Sequence, residues 1–277
     1  MFGPDLLFVF KGESVRPETV AFIKEQGTVA INYWPDVSFQ AHGYWPPKTL
    51  PHYDWIFNSK SFGVQDLQAQ LGVANASFLP HAFDTQVHTH VAMDANRDNG
   101  FACDISFIGN WSPKKEALLA AVAEANPVSS FRIWGSNYWR RASGLKTRFQ
   151  GYPVLGQEYA RAICASRINI CILSEKRAGA SSGDLTTART FELAGAGGFM
   201  LHERTEEAMS YFEEGKECAF FDDAEDLVAK IRYYLAHEDE RRAIAAAGRQ
   251  RALKSGYSYD DRVAAVIEKY YELRSRE

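Results

Sequence analysis

Short apolar runs alternate with segments of helical periodicity along most of this 277-residue chain. In the first half the runs are DLLFVF, TVAINY, DWIFNS and SFLP, with the helical segments ETVAFIKEQG and GVQDLQAQLG between them. In the second half the runs are DISFIGN, FRIWG, INICIL, FML and AFF. Apolar runs of this length between turn signals predict buried strands, and strands that alternate with helices form parallel sheets. The sequence therefore predicts an α/β fold.

A polar stretch at 88–100, HTHVAMDANRDNG, carries little periodicity and separates the two series of strands. We interpret it as a linker and expect two Rossmann-like domains, 1–90 and 91–277, with the boundary near 85–102. The last predicted helix, 259–273, is a candidate for packing back on the first domain. The first half has room for about four strands, which is few for a doubly wound domain of ~100 to 150 residues. Either that domain is abbreviated or something outside this chain completes it.

Composition excludes several classes of protein. A formal net charge of -4 argues against general binding to nucleic acids or to anionic membranes. The apolar run at 6–10 is too short to span a membrane and lacks a basic leader, so we expect a cytoplasmic protein. The four cysteines form no CxxC pair and have no histidine at metal-ligand spacing, which predicts buried thiols and no metal site. The acidic run 238–240 is interpreted as a solvated helix face.

The segment 181–201, SSGDLTTARTFELAGAGGFML, predicts a helix preceded by a polar loop. We expect Asp184 to cap this helix and the helix to run from Leu185 to about Ala194, where glycines end it. A loop of small hydroxyl residues that leads into a helix favours anions, because free amides and the helix dipole both attract negative charge. The hydroxyl residues expected at this site are Ser182, Thr187 and Thr190.

Arg189 and Glu192 are three residues apart on one face of this predicted helix. A cation one turn into the helix adds a partner for phosphate. A carboxylate further along can accept hydrogen bonds from a ribose diol, as acidic residues do in dinucleotide-binding folds. The pattern indicates a nucleoside diphosphate lying across the helix start. The alternative is an ordinary ion pair on a helix surface.

The second half also resembles a known family. The resemblance is carried by DISFIGNWSPKKEALL, FRIWGSNYW, TTARTFELAGAGGFML and FEEGKECAFFDDAEDLVAKIRYYLAHEDERRAIAAAGRQRAL, and it covers roughly residues 77–277. These segments resemble glycosyltransferases of the GT-B type, and specifically the spore maturation protein CgeB-like group. The resemblance implies two Rossmann-like domains facing across a cleft, with a nucleotide-sugar held mainly by the C-terminal domain and the acceptor mainly by the N-terminal one.

The same resemblance assigns roles in donor binding. Glu192 matches the position whose carboxylate binds the donor ribose, and Arg189 matches one near the diphosphate. Gly109 and Asn110 match the glycine turn where backbone approaches the phosphates. Related transferases place an arginine after this glycine, where this chain has Asn110, so Lys114 or the next residue, Lys115, is the candidate source of positive charge. The alternative is that both lysines are solvated residues of a first helical turn.

Further candidates lie at the ends of predicted strands. Trp134 and Gly135 end the FRIW strand, where a ligand meets the carboxyl edge of a parallel sheet. Tyr159 is expected near the nucleobase, although core packing is the alternative for both aromatic residues. The resemblance places His81 and Asp84, in FLPHAFD, at the cleft. His81 is then a catalytic or phosphate-binding residue, or else a structural histidine.

The segment AINYWPDVSFQAHGYWPP surrounds Asp36 with aromatic residues. Aromatic rings offer apolar faces on which sugars stack, and a carboxylate among them can act as a base. Asp36 is therefore the preferred catalytic carboxylate. The alternative is a turn-forming aspartate after Pro35, with aromatic side chains that fill space.

The leading hypothesis is a metal-independent glycosyltransferase, similar to hexosyltransferases that act on bacterial cell-surface or spore glycans. It would move a sugar from a UDP-, GDP- or dTDP-sugar to a hydroxyl of a glycan, protein or small molecule. An inverting reaction needs a base such as Asp36, whereas a retaining one does not, and the sequence leaves both open. The rival hypotheses are a nucleotide-sugar epimerase on the same scaffold and a non-catalytic nucleotide-sugar-binding or assembly module.

Overall fold

The computed structural model describes residues 3–92 and 100–275 and divides the chain into two compact units. The first unit comprises residues up to His81, the segment Ser174–Thr186 and residues from Asp260 onward. The second comprises Ala82–Leu173 and Thr187–Tyr259. Each unit contains one parallel sheet, and all nine strands lie at the predicted apolar runs. The predicted α/β fold class is confirmed.

The elements follow in chain order. The strands are β1 (Leu6–Phe10), β2 (Val29–Trp34), β3 (Trp55–Asn58), β4 (Ala76–Phe78), β5 (Cys103–Ile108), β6 (Phe131–Trp134), β7 (Ser166–Cys171), β8 (Met200–Glu203) and β9 (Ala219–Phe221). The helices are α1 (Pro17–Lys24), α2 (Pro46–Thr49), α3 (Ser61–Leu71), α4 (Pro113–Ala125), α5 (Gly156–Ala165), α6 (Ala188–Ala196), α7 (Glu206–Tyr211), α8 (Ala224–Ala236), α9 (Glu238–Lys254) and α10 (Tyr259–Arg274).

In the first unit the strands lie side by side in the order β1-β2-β3-β4. Side chains alternate between the two faces of a strand, and β2 is buried along its whole length, so it contributes to a core on each face. Trp34 packs with Leu67 of α3 on one face. Ile31 packs with Val266 of α10 on the other. Both faces of the central strands are therefore covered by helices, as expected for a parallel sheet.

In the second unit the strand order is β6-β5-β7-β8-β9. The chain moves from β5 to β6 on one side and then crosses to β7 on the other side of β5. This reversal is a topological switch point, and open α/β sheets bind ligands outside the carboxyl ends of the strands at such a point. The order of the strands thus places a crevice at the ends of β5 and β7 before any side chain is considered.

The helix predicted in 185–194 starts later than expected. It begins at Ala188, and Thr187 is the N-cap residue of a capping box in which the Thr190 hydroxyl accepts a hydrogen bond from the Thr187 amide at 3.0 Å. The prediction that Asp184 caps this helix was wrong, because the Asp184 carboxylate is paired with the Lys60 ammonium at 2.7 Å. The helix ends where Gly197 adopts a left-handed conformation with φ of 83°.

The predicted linker 88–100 lies partly outside the described residues, which exclude 93–99. His88, its first residue, is buried in the second unit. In the two described ranges no helix combines the length and the apolar composition needed to cross a membrane.

Candidate active site

A cavity of about 320 Å³ lies at the carboxyl ends of β5 and β6 in the second unit. Its walls come from the turns after these two strands, from the first residues of α5 and α6, and from His88. Six of the residues predicted from sequence to bind the donor line this cavity, and they are Gly109, Asn110, Gly135, Tyr159, Arg189 and Glu192.

The two glycines allow very close backbone packing at the floor of the cavity. A Cβ atom at Gly135 would lie 2.0 Å from the carbonyl oxygen of Gly109. A Cβ atom at Gly109 would lie 2.6 Å from Nη1 of Arg189. Only hydrogen fits at Gly135, because the clash there is with backbone, whereas a side chain at Gly109 would displace the end of the Arg189 side chain.

Arg189 braces the ends of two strands across the switch point. Its guanidinium donates to the carbonyl oxygen of Ile108, the last residue of β5, at 3.3 Å and to that of Ile172, which follows β7, at 2.8 Å. The guanidinium carbon lies 5.4 Å from the centre of the Phe107 ring. Among the described side chains no carboxylate forms an ion pair with Arg189, so the alternative of an ordinary i, i+3 ion pair with Glu192 is not observed. The guanidinium lies beside the cavity, close enough to Glu192 for its charge to oppose the rise in the pKa of that carboxyl that burial causes.

Glu192 is held by one of its two carboxylate oxygens. The Tyr159 hydroxyl donates to Oε2 at 2.8 Å. Burial raises the pKa of Glu192, although the Tyr159 hydrogen bond and the Arg189 charge oppose that shift. Burial and the neighbouring Glu192 charge raise the pKa of Tyr159. Tyr159 therefore acts as a neutral donor that orients the carboxylate and leaves Oε1 for the cavity.

The hydroxyl groups at the start of α6 serve the helix. The Thr190 hydroxyl lies 2.8 Å from Nε2 of His202, and Nδ1 of His202 lies 2.5 Å from the carbonyl oxygen of Glu203. A carbonyl only accepts, so Nδ1 carries the proton and Nε2 accepts from Thr190. Burial lowers the pKa of His202 to about 4, in agreement with a neutral ring. Thr187 and Thr190 thus fix the helix start that carries Arg189.

Three other predicted residues lie away from the cavity lining. Lys114 Nζ contacts the Glu203 carboxylate at 2.5 Å, and its neighbour Lys115 is buried behind the Ser112 cap of α4. Trp134 is fully buried in the apolar core. Ser182 belongs to the segment that packs with the first unit. The residues in 3–92 and 100–275 contain no group of three or more His, Cys, Asp or Glu side chains arranged to hold a metal.

The two candidate catalytic residues, Asp36 and His81, belong to the first unit. The Asp36 carboxylate lies 2.9 Å from Nζ of Lys11 and 3.5 Å from Nε2 of His42. Burial alone would lower the pKa of Lys11, but the hydrogen bonds that its ammonium donates to the Asp36 and Glu13 carboxylates outweigh burial and raise that pKa. His81 Nε2 donates to the carbonyl oxygen of Pro35 at 3.1 Å, which agrees with a structural role for that ring nitrogen.

Sequence reasoning missed His88. The only sequence signal for the turn that carries His88 is Asp84, four residues earlier. An aspartate at this spacing is common in polar loops, so it does not single out His88. In the structure the His88 ring lines the cavity, with Nε2 3.9 Å from Oε1 of Glu192.

The family model described as glycosyl transferase-like matches residues 114–268, more than half of the chain. The chain belongs to the glycosyl transferase-like family. The match includes Tyr159, Arg189 and Glu192, three of the residues that line the cavity. No curated protein sequence matches this transferase.

Solved structures agree with this family and show a GT-B type of fold. A glycosyltransferase from Rickettsia africae ESF-5 is 12% identical with a TM-score of 0.71, covering 99% of this chain and 78% of its own. Sucrose-phosphate synthase from Thermosynechococcus elongatus is 13% identical with a TM-score of 0.71, covering 99% of this chain and 74% of its own. Anabaena Alr3699/HepE, solved with UDP and glucose, is 12% identical with a TM-score of 0.67, and the alignment covers 99% of this chain and 78% of that protein.

Proposed function

We propose that this transferase moves a sugar from a nucleoside diphosphate sugar to an acceptor hydroxyl, and that it belongs to the CgeB-like group. The observation that carries the proposal is the cavity at the switch point of the second sheet. It is lined by the Gly109 turn, the start of α6, Arg189, which has no ion-pair partner among the described side chains, and Glu192, whose Oε1 is not bound by Tyr159. These are the groups that a ribose and a diphosphate need. The expected donor is a UDP-, GDP- or dTDP-sugar.

The donor is expected to lie with its diphosphate at Gly109 and Arg189 and its ribose at Glu192. When the bond between the anomeric carbon and the diphosphate oxygen breaks, negative charge develops on the diphosphate. The Arg189 guanidinium and the free amides at the start of α6 are positioned to stabilise that charge. This supports the proposal that the reaction requires no metal.

The decisive experiment incubates the protein with UDP-, GDP- and dTDP-sugars and a panel of glycan, protein and small-molecule acceptors. Release of nucleoside diphosphate that depends on an acceptor, and that persists in EDTA, is the expected result. Conversion of the donor sugar without release would indicate an epimerase. Binding without turnover of any donor would indicate a binding or assembly module.

For the acceptor side we propose Asp36 as the base of an inverting reaction, with His81 as the second candidate. Asp36→Asn is then expected to lower kcat by about 10² to 10⁴-fold, the range for loss of a general base, while donor binding stays unchanged. Steady-state kinetics with the donor found above measures this. Glu13→Gln is the matched control, because Glu13 also pairs with Lys11 at 2.9 Å. Normal turnover by Asp36→Asn would remove Asp36 as a base.

A further inference from the structure

A short turn brings His88 to the cavity and holds it there. Oδ1 of Asp84 accepts from the amides of Gln86 at 2.7 Å and Val87 at 2.9 Å, and the His88 amide donates to the Asp84 carbonyl oxygen at 2.9 Å. The preceding residue, Phe83, packs so tightly on α6 that a Cβ atom at Gly195 would lie 2.6 Å from its ring. The turn is therefore anchored on the helix that carries Glu192.

The orientation of the imidazole ring follows from one hydrogen bond. The backbone amide of Asp84 donates to Nδ1 of His88 at 2.8 Å, so Nδ1 carries a lone pair and the proton of the neutral ring is at Nε2. The Tyr159 ring packs edge-on against the imidazole, with ring centres 5.4 Å apart. Burial lowers the pKa of His88 more than the Asp84 charge raises it, which favours this neutral form.

The Nε2–H group faces a carboxylate oxygen that has no close partner of its own. Tyr159 occupies Oε2 of Glu192, and Oε1 lies 3.9 Å from Nε2 of His88. That separation is too long for a hydrogen bond. However, an oxygen atom about 2.8 Å from each of the two atoms fits between them. A hydroxyl group can accept from an N–H and at the same time donate to a carboxylate.

We propose that His88 is a specificity-determining residue of the donor site. Its Nε2–H donates a hydrogen bond to a ribose hydroxyl, and the same hydroxyl donates to Oε1 of Glu192. This rests on the proposed function, since it takes Glu192 to hold the ribose. A ribose hydroxyl satisfies both groups at once. A deoxyribose that lacks this hydroxyl leaves a buried donor and a buried acceptor without partners, so the site discriminates against it.

The experiment uses calorimetry to measure binding of three ligands. These are UDP or GDP, whichever the wild-type protein binds, and the 2′-deoxy and 3′-deoxy analogues of that nucleotide. For the wild type we expect one analogue to bind about tenfold or more weakly than the ribonucleotide. His88→Phe keeps the ring against Tyr159 and removes both nitrogens. We expect it to weaken binding of the ribonucleotide about tenfold and to leave that analogue within about twofold, so that discrimination disappears.

His90→Phe is the matched control, because it makes the same change two residues away at an exposed position outside the cavity. We expect it to keep the wild-type discrimination. A folded His88→Phe protein with unchanged discrimination overturns the proposal for His88 alone. A wild-type protein that binds no nucleoside diphosphate overturns the proposed function as well.

A second measurement needs no variant. In ¹⁵N spectra of wild-type imidazole groups, the Nε2 resonance of His88 is expected to shift when the ribonucleotide binds and to stay in place when the weak analogue binds. An Nε2 resonance that responds equally to both ligands contradicts the bridging hydroxyl, whatever the stability of His88→Phe.

Discussion

Replacing Arg189 and Glu192 together by alanine is expected to weaken binding of a nucleoside diphosphate at least about thirtyfold. Each side chain is proposed to make charged hydrogen bonds to the donor, which are worth about 1 to 3 kcal/mol apiece. Glu192→Gln keeps the shape of the side chain and the Tyr159 contact, so its single effect reports on the carboxylate. Arg189→Ala also leaves the carbonyl oxygens of Ile108 and Ile172 without this donor.

Titration calorimetry with UDP and GDP measures this effect, and a denaturant titration of each variant separates lost binding from lost stability. The matched control is Arg242→Ala with Glu238→Ala, which removes one charge of each sign from an ion pair on α9. We expect the control to bind as the wild type does. Unchanged binding by a folded Arg189→Ala/Glu192→Ala protein would show that this cavity does not hold the donor.

Lys60→Met is expected to lower the free energy of unfolding by about 3 to 5 kcal/mol. The side chains of Lys60 and Asp184 are only 4% and 6% exposed, and their charged atoms lie 2.7 Å apart. Lys60 also donates to the carbonyl oxygen of Thr186 at 3.3 Å, and Asp184 accepts from the amide of Ser174 at 3.2 Å. Removing the ammonium leaves the carboxylate buried without its counter-charge, which costs more than the pair itself contributes.

Urea unfolding of Lys60→Met, Asp184→Asn and the double variant tests this expectation. The double variant should be less destabilised than the sum of the single ones, because the second substitution removes a charge that has already lost its partner. Lys216→Met is the control, since its ion pair with Glu213 is exposed on both sides and should contribute little to stability. If Lys60→Met lowers the free energy of unfolding by less than about 1 kcal/mol, the expectation that the loss of Lys60 leaves a costly buried charge is wrong.

The same pair predicts a dependence on pH. Burial opposes ionisation of Asp184, but the Lys60 charge and the hydrogen bonds from Ser174 prevail and hold its pKa below the usual value. A carboxyl whose pKa is lower in the folded state stabilises fully above its unfolded pKa of about 3.9. That contribution is lost as the pH falls through the folded pKa. Stability measured from pH 7 down to pH 3 should therefore fall less steeply in Lys60→Met than in the wild type.

Asp184 shows where local reasoning stops. Its place before a helix, next to hydroxyl residues, is a good capping signal, yet Lys60, which is 124 positions earlier, takes the carboxylate. A charged partner that reaches a buried carboxylate is worth more than a capping hydrogen bond of about 1 kcal/mol, and its presence depends on how distant segments fold together. Thr187 then caps the helix, which starts three residues later than expected.

The sequence predicts Arg189 and Glu192 together because their spacing brings them to one face of a single helix, and both line the cavity. His88 was not found, because its meeting with Glu192 depends on the turn at Asp84 and on the packing of Phe83 against Gly195. In the same way, no local pattern distinguishes Trp134, which is core, from Tyr159, which lines the cavity. The position of Trp134 depends on which face of the sheet its side chain lies on, and that of Tyr159 on which face of α5 packs on the sheet.

The amino-acid sequence by itself determined the nine strands, their parallel pairing and the helix that carries the charged pair, because strand and helix periods are set by residues close along the chain. Only the tertiary structure decided which polar groups meet: Lys60 with Asp184, Tyr159 and His88 with Glu192, and Arg189 with the ends of two strands. These residues lie far apart in sequence, and at Asp184 the buried ion pair with Lys60 overrides the local preference for capping the helix.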